Sequence, residues 1–199
     1  MSVSVDESVE SFLAQAVVGQ PEAGEVPPTP MKLVSLDVDV DMLHAALRRV
    51  IAEHDDLGRF RLRVEDSGQS TLQGKQSSNK RLVLTTHVTL VHRSSTSQAD
   101  MRTMYGALIG AKVPLKAIAL YWSDKVAALE VEVSACSTSG LPVPPSTNTF
   151  VHITIWKLEE TKSFESNNLP DLVASGSAEV VRFQQPIDLE STLSFWEAK

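Results

Sequence analysis

Two short segments of this 199-residue chain carry the same pattern, His87-Val88-Thr89-Leu90 and His152-Ile153-Thr154-Ile155. The first lies inside Arg81 to Val91 and the second inside Phe150 to Trp156, both rich in Val, Leu, Ile and Thr. Such runs read as β-strands, because β-branched side chains suit a pleated surface and lose rotamer freedom in a helix. Residues i and i+2 of a strand share a face, about 7 Å apart. Each segment therefore presents one imidazole and one hydroxyl on the same side.

The rest of the chain supplies more strands than helices. Lys32 to Val40 alternates as a strand, and Asp41 can cap the helix after it, whose stripe is Met42, Leu43, Ala46, Leu47, Val50 and Ile51. Phe60 to Val64 alternates as a half-exposed strand, and the polar stretch from Asp66 to Lys80 predicts a long mobile loop. Ser97 opens a helix that includes Met101 to Ile109. Val113 to Trp122 and Val126 to Val133 form a hairpin about Ser123-Asp124, and a Pro-containing loop from Ser134 to Thr149 precedes the second His-Thr strand. Leu169 to Ser175 predicts a short helix with Pro170 in its first turn and Gly176 ending it. Glu179 to Phe183 and Leu189 to Trp196 are the last strands, separated by Pro186. Helices placed between groups of strands give an α+β class. Residues 1–30, with the proline-rich run from Gln20 to Pro30, read as an N-terminal extension or linker, and 31–199 as the compact domain. Met1 placed before such a linker can also mark a domain cut from a longer chain.

Charge and cysteine content narrow the function classes. A formal charge of −7 argues against a protein that coats long nucleic acid. Between residues 75 and 116, however, Lys75, Lys80, Arg81, Arg93, Arg102, Lys112 and Lys116 face the single acid Asp100. That local basic zone suits either a small anionic group or a solvated face beside a loop. Cys136 is the only cysteine, so no intramolecular disulfide can form, and a reducing intracellular compartment, cytoplasm or nucleus, is expected. No apolar run approaches the ~20 residues of a membrane helix, so no membrane partner is expected.

Histidine, with an unperturbed pKa near 6.5, gives or takes a proton at neutral pH. If the two segments face each other, one imidazole can activate water while the other protonates a leaving oxygen. The two threonine hydroxyls can hydrogen-bond the non-bridging oxygens of a phosphate. No metal or other cofactor is needed for that chemistry. The alternative is a pair of strand histidines satisfied by backbone carbonyls, which the matched repetition disfavours.

Two such tetrads, half a domain apart, resemble the 2H phosphoesterase superfamily. The fuller text, His87-Val88-Thr89-Leu90-Val91-His92-Arg93 with Phe150-Val151-His152-Ile153-Thr154-Ile155, resembles the cyclic phosphodiesterase domain of fungal tRNA ligase, over about residues 31 to 196. The resemblance implies a bilobal α+β fold, two antiparallel sheets around a central cleft with helices outside and one tetrad from each lobe. It implies metal-independent hydrolysis of an RNA 2′,3′-cyclic phosphate end to a 2′-phosphate and a 3′-hydroxyl during tRNA splicing. It also implies a place in a larger ligase beside a kinase and an adenylyltransferase. By that resemblance His87 and His152 are the acid–base pair, His87 the acid and His152 the base, and Thr89 and Thr154 bind the phosphate. Alternatives are a phosphodiesterase for 2′–5′ linked or other small cyclic nucleotides, and a non-catalytic module that binds RNA ends.

Strand parity sorts the neighbours. Arg93 keeps the parity of His87 and Thr89 and either reaches the phosphate or is an exposed charge. Trp156 shares the face of His152 and Thr154 and either stacks on a base or packs in the core. His92 and Lys157 have the opposite parity and are set aside.

Overall fold

The structure is a computed structural model and describes residues 30–53, 60, 86–158 and 160–197. Its six strands are β1 (Met31–Val38), β2 (Thr86–His92), β3 (Lys112–Trp122), β4 (Val126–Val133), β5 (His152–Lys157) and β6 (Glu179–Glu197). Helix α1 (Val40–Glu53) follows β1, α2 (Gln98–Tyr105) follows β2, and α3 (Leu169–Ala174) precedes β6. Of the strand expected over 60–64 only Phe60 lies among the described residues; the loop at 66–80 and the extension at 1–29 lie outside them.

All six strands pair antiparallel and close in the order β1-β2-β5-β4-β3-β6, with β6 returning to β1. The expected bilobal arrangement of two sheets around a cleft is therefore incorrect. The two His-Thr strands are hydrogen-bonded neighbours, Val88 opposite Ile153, so both tetrads belong to one wall. At 19 residues, β6 is long enough to pair with β1 along one stretch and with β3 along most of its length, which removes the free edge that two separate sheets would have.

The barrel is filled by the apolar partners of the alternation. Val34, Leu36, Val88, Leu90, Leu120, Leu129 and Ile153 are completely buried inside it. Helix α1 adds Leu43 and Leu47, and α2 adds Met101 and Tyr105. Phe60 packs on Trp122 with ring centroids 5.7 Å apart. A second cluster lies on the outer wall, where Ala119, Tyr121, Val126, Ala128 and Phe150 receive Leu169 of α3. Gly176, at φ 76°, ends α3 as expected; Ser177 N–H donates to Leu172 O at 2.7 Å and Gly176 N–H to Val173 O at 3.0 Å. The cap of α1 is Asp39 rather than Asp41, its carboxylate accepting from Met42 N–H at 2.8 Å.

Three interruptions of the ladder decide which side chains point outward. On β2, Ser35 opposes Thr89 and Val34 opposes Val91, leaving Leu90 as an extra residue. On β5, Ala128 opposes Thr154 and Ala127 opposes Trp156, leaving Ile155 as the extra one. Each bulge reverses the parity of everything beyond it. On β6, Ala119 opposes Arg182 while Ala117 opposes Ile187, so Phe183 to Pro186 bow out of the ladder. Pro186 sits where no ladder N–H is required, and the two strands expected on either side of it are one.

Candidate active site

Val88 and Ile153 point into the barrel, so their neighbours His87, Thr89, His152 and Thr154 project from the outer face of the wall, each half-buried. With Val88 opposite Ile153 in an antiparallel pair, His87 lies across from Thr154 and Thr89 across from His152. Residues directly opposite have Cα atoms roughly 4.5–5.5 Å apart. The four side chains thus form a compact crossed square. They line a cavity of about 810 Å³ on the barrel's outer face, walled by β1, β2, β5, Trp196 of β6 and the 3-10 turn Ser163–Asn168.

The loop before β5 holds this seam together. Ser146 Oγ donates to Thr89 O at 2.9 Å, and Thr147 N–H donates to Leu90 O at 2.8 Å. These bonds satisfy β2 carbonyls on the side where its pairing with β5 is short.

His152 is held on both sides of its ring. Its Nδ1 donates to Phe150 O at 2.9 Å, since a carbonyl can only accept, and the ring stacks on Phe150 with centroids 4.8 Å apart. Its Nε2 lies 2.7 Å from Ser166 Oγ, and Ser166 Oγ also lies 3.0 Å from Thr154 Oγ1. Buried Ser166 therefore ties both polar members of the second tetrad to the turn. Burial lowers the His152 pKa, the Phe150 carbonyl opposes that, and the charge of His87 lowers it further. The two imidazoles are close enough to feel one another.

His87 leans on Trp196, ring centroids 4.5 Å apart and 49° between planes. Its strand partner on β1 is Asp37. That carboxylate accepts from Ser35 Oγ at 2.7 Å, from Trp196 Nε1 at 3.1 Å and from Ser194 Oγ at 2.5 Å. His87 Nδ1 is buried and meets no hydrogen-bond partner among the described residues. Burial lowers the His87 pKa, Asp37 raises it and Lys32 lowers it. Proximity to a fixed carboxylate distinguishes His87 from His152.

Parity beyond the bulges fails, with consequences for four residues. Trp156 turns inward and joins the barrel core at 6% exposure. Arg93 follows the end of β2, is exposed and does not line the cavity. In their place, His92 and Lys157 line it. Lys157 Nζ donates to Thr161 O at 2.7 Å, which fixes the ammonium near the turn. Phe164 of that turn is 64% exposed on the cavity rim, with Lys162 Nζ 5.8 Å from its ring centroid. Asp37 was legible only as an outward position between Leu36 and Val38, and nothing in the chain announced Ser166, Phe164 or Trp196 as part of this surface. Among the described residues no three His, Cys, Asp or Glu side chains converge as metal ligands.

The family model described as "Fungal tRNA ligase phosphodiesterase domain" matches residues 11–192. The protein "tRNA ligase 1" of Arabidopsis thaliana is 27% identical over 162 residues, 81% of this chain and 13% of that protein. The chain therefore spans a small part of that relative's length. A structure titled "Crystal Structure of Fungal RNA Kinase" superposes on all of this chain and 54% of its own, with a TM-score of 0.59 and 15% identity, a likeness of fold alone.

Proposed function

Since this chain belongs to the fungal tRNA ligase phosphodiesterase domain family, we propose that it opens RNA 2′,3′-cyclic phosphate ends, leaving a 2′-phosphate and a 3′-hydroxyl. The observation that carries this reading is the crossed square of His87, Thr89, His152 and Thr154 facing a cavity with lysines at its margin. Four groups around one point match the needs of a pentacoordinate phosphorus: a base, an acid and two neutral donors.

In the proposed step the cyclic phosphate sits over the square with its non-bridging oxygens on Thr89 and Thr154. His152 carries its proton on Nδ1, which leaves the Nε2 lone pair facing Ser166 Oγ; when the Ser166 hydroxyl turns to its other acceptor, Ser163 O, that lone pair is released to take a proton from water. The water oxygen bonds to phosphorus, the P–O3′ bond breaks, and the departing oxygen takes its electron pair and a proton from His87. Burial lowers the His87 pKa, and Asp37 beside it opposes that shift, in the direction this role needs. Solvent exchange then returns His87 to imidazolium and His152 to neutral imidazole. Phe164 offers an exposed ring on which the terminal base stacks, a role that Trp156, packed in the barrel core, does not fill. We infer that the chain works as one domain of a larger tRNA ligase, alongside kinase and adenylyltransferase activities.

The test is product analysis on an oligoribonucleotide ending in a 2′,3′-cyclic phosphate, with and without chelator. A 2′-phosphate end formed at equal rate in both is expected. His87→Ala and His152→Ala should each lower kcat by about 10²–10⁴-fold. A chelator-sensitive rate sinks the two-histidine mechanism, and tight binding of the end without turnover sinks the enzymatic reading.

A further inference from the structure

The tetrads engage one phosphate, yet the cavity continues past Thr89 along β2. The Leu90 bulge brings His92 onto the cavity face, opposite Leu33 of β1. At ~3.3 Å per residue His92 stands about 7–10 Å beyond Thr89. That is too far to share the tetrad's phosphate and within reach of the next phosphate of a continuing chain.

The groups gathered there suit an anion. Ser94 N–H donates to His92 Nδ1 at 3.2 Å, and Ser94 Oγ lies 2.8 Å from the same atom. A nitrogen that accepts from a backbone N–H carries no proton, so Nε2–H is the ring's donor. Lys32 lines the same end of the cavity, and its carbonyl is pinned by Arg93 N–H at 2.9 Å. Lys32 lines the cavity together with His87 and His92; burial lowers the pKa of both histidines, and the Lys32 charge also lowers it. Lys32 forms no ion pair with a described residue. A cation with no ion-pair partner among the described residues, beside an N–H donor on a cavity wall, suits an anion.

We propose that Lys32 and His92 form a second phosphate seat, which takes the phosphate on the 5′ oxygen of the terminal nucleoside. The inference rests on the cyclic-phosphate reading and extends it, making the preferred substrate a polynucleotide end rather than a free cyclic nucleotide.

The full chain is assayed with four probes: adenosine 2′,3′-cyclic phosphate, its 5′-phosphorylated form, the dinucleotide ApA ending in the cyclic phosphate, and that dinucleotide with a neutral methylphosphonate linkage. The wild type should favour the charged dinucleotide over the methylphosphonate by about tenfold in kcat/KM, the effect of one charged hydrogen bond. His92→Gln and Lys32→Met should each draw that ratio toward one. A rate gain with the 5′-phosphorylated mononucleotide supports the seat and shows that a terminal monoester fills it as well as a diester. Equal wild-type rates for the charged and neutral dinucleotides overturn the seat while the tetrad chemistry stands, and this comparison does not depend on whether a variant folds. If the wild type opens none of the four, the cyclic-phosphate reading falls and the seat with it.

Discussion

The Nε2 atom of His152 lies 2.7 Å from Ser166 Oγ, so a strand histidine of the tetrad is tied to a buried serine in a 3-10 turn. Ser166 has one hydroxyl proton, and its oxygen also sits 2.5 Å from Ser163 O, an acceptor. With Nδ1 already protonated against Phe150 O, a neutral His152 claims the serine proton, whereas a protonated His152 donates to the serine and releases that proton to Ser163. The charge of His152 is thereby coupled to the turn that walls the cavity.

Replacing Ser166 with Ala removes the oxygen that accepts from the imidazolium, so the His152 pKa should fall further. For a histidine acting as base, the ascending limb of the kcat/KM–pH profile should move to lower pH. Thermal unfolding should show a loss of about 1 kcal/mol from the missing hydrogen bond. A variant that loses stability and keeps an unshifted limb would show Ser166 to be a turn residue only.

The pH profile itself is set by two lowered histidines. Burial pushes both His87 and His152 below the usual 6.5, and they titrate as a coupled pair. A bell for kcat/KM centred on the acid side of about 6.5 is expected. Asp37→Asn removes the charge that favours protonated His87, so the descending limb should move to lower pH. Profiles recorded from pH 4.5 to 8.5 on both proteins decide this, and a flat wild-type profile excludes paired histidines.

Two aromatic substitutions should separate cleanly. Trp156→Ala opens the barrel core and should cost about 3–5 kcal/mol in denaturant unfolding. Phe164→Ala touches an exposed rim and should leave unfolding almost unchanged, while raising KM for a cyclic-phosphate RNA end by about tenfold through lost stacking. The reverse pattern would return base recognition to Trp156.

Stability should also respond to pH through the same histidines. Groups whose pKa is lower folded than unfolded bind more protons when the chain unfolds. Their contribution is therefore complete above about 6.5 and declines as pH falls through that value. Urea midpoints should drop between pH 7.5 and 5.5, and the combined His87→Asn and His152→Asn variant should show a shallower drop. Identical slopes in the two proteins would refute the assignment.

What the chain alone determined were the local periodicities. The alternation around His87 and His152 placed each imidazole with its own threonine two residues on, and that relation holds in the structure because each bulge follows the threonine and none falls between it and its histidine. The short helix stopped by Gly176 and the β3–β4 hairpin were likewise set by neighbouring residues. Tertiary structure decided whatever depends on a partner strand. A bulge exists only where two residues oppose one, so the extra residues Leu90 and Ile155 followed from pairing with β1 and β4. Those two residues sent Trp156 into the core and brought His92 and Lys157 to the cavity. Closure of the barrel also depended on non-local pairing, with β6 reaching β1 across more than 150 positions of sequence, and it put Trp196 against His87 and both tetrads on a single wall. Which residues carry hydroxyl and imidazole groups was written locally; what stands beside them was settled by the register of strands far apart in the chain.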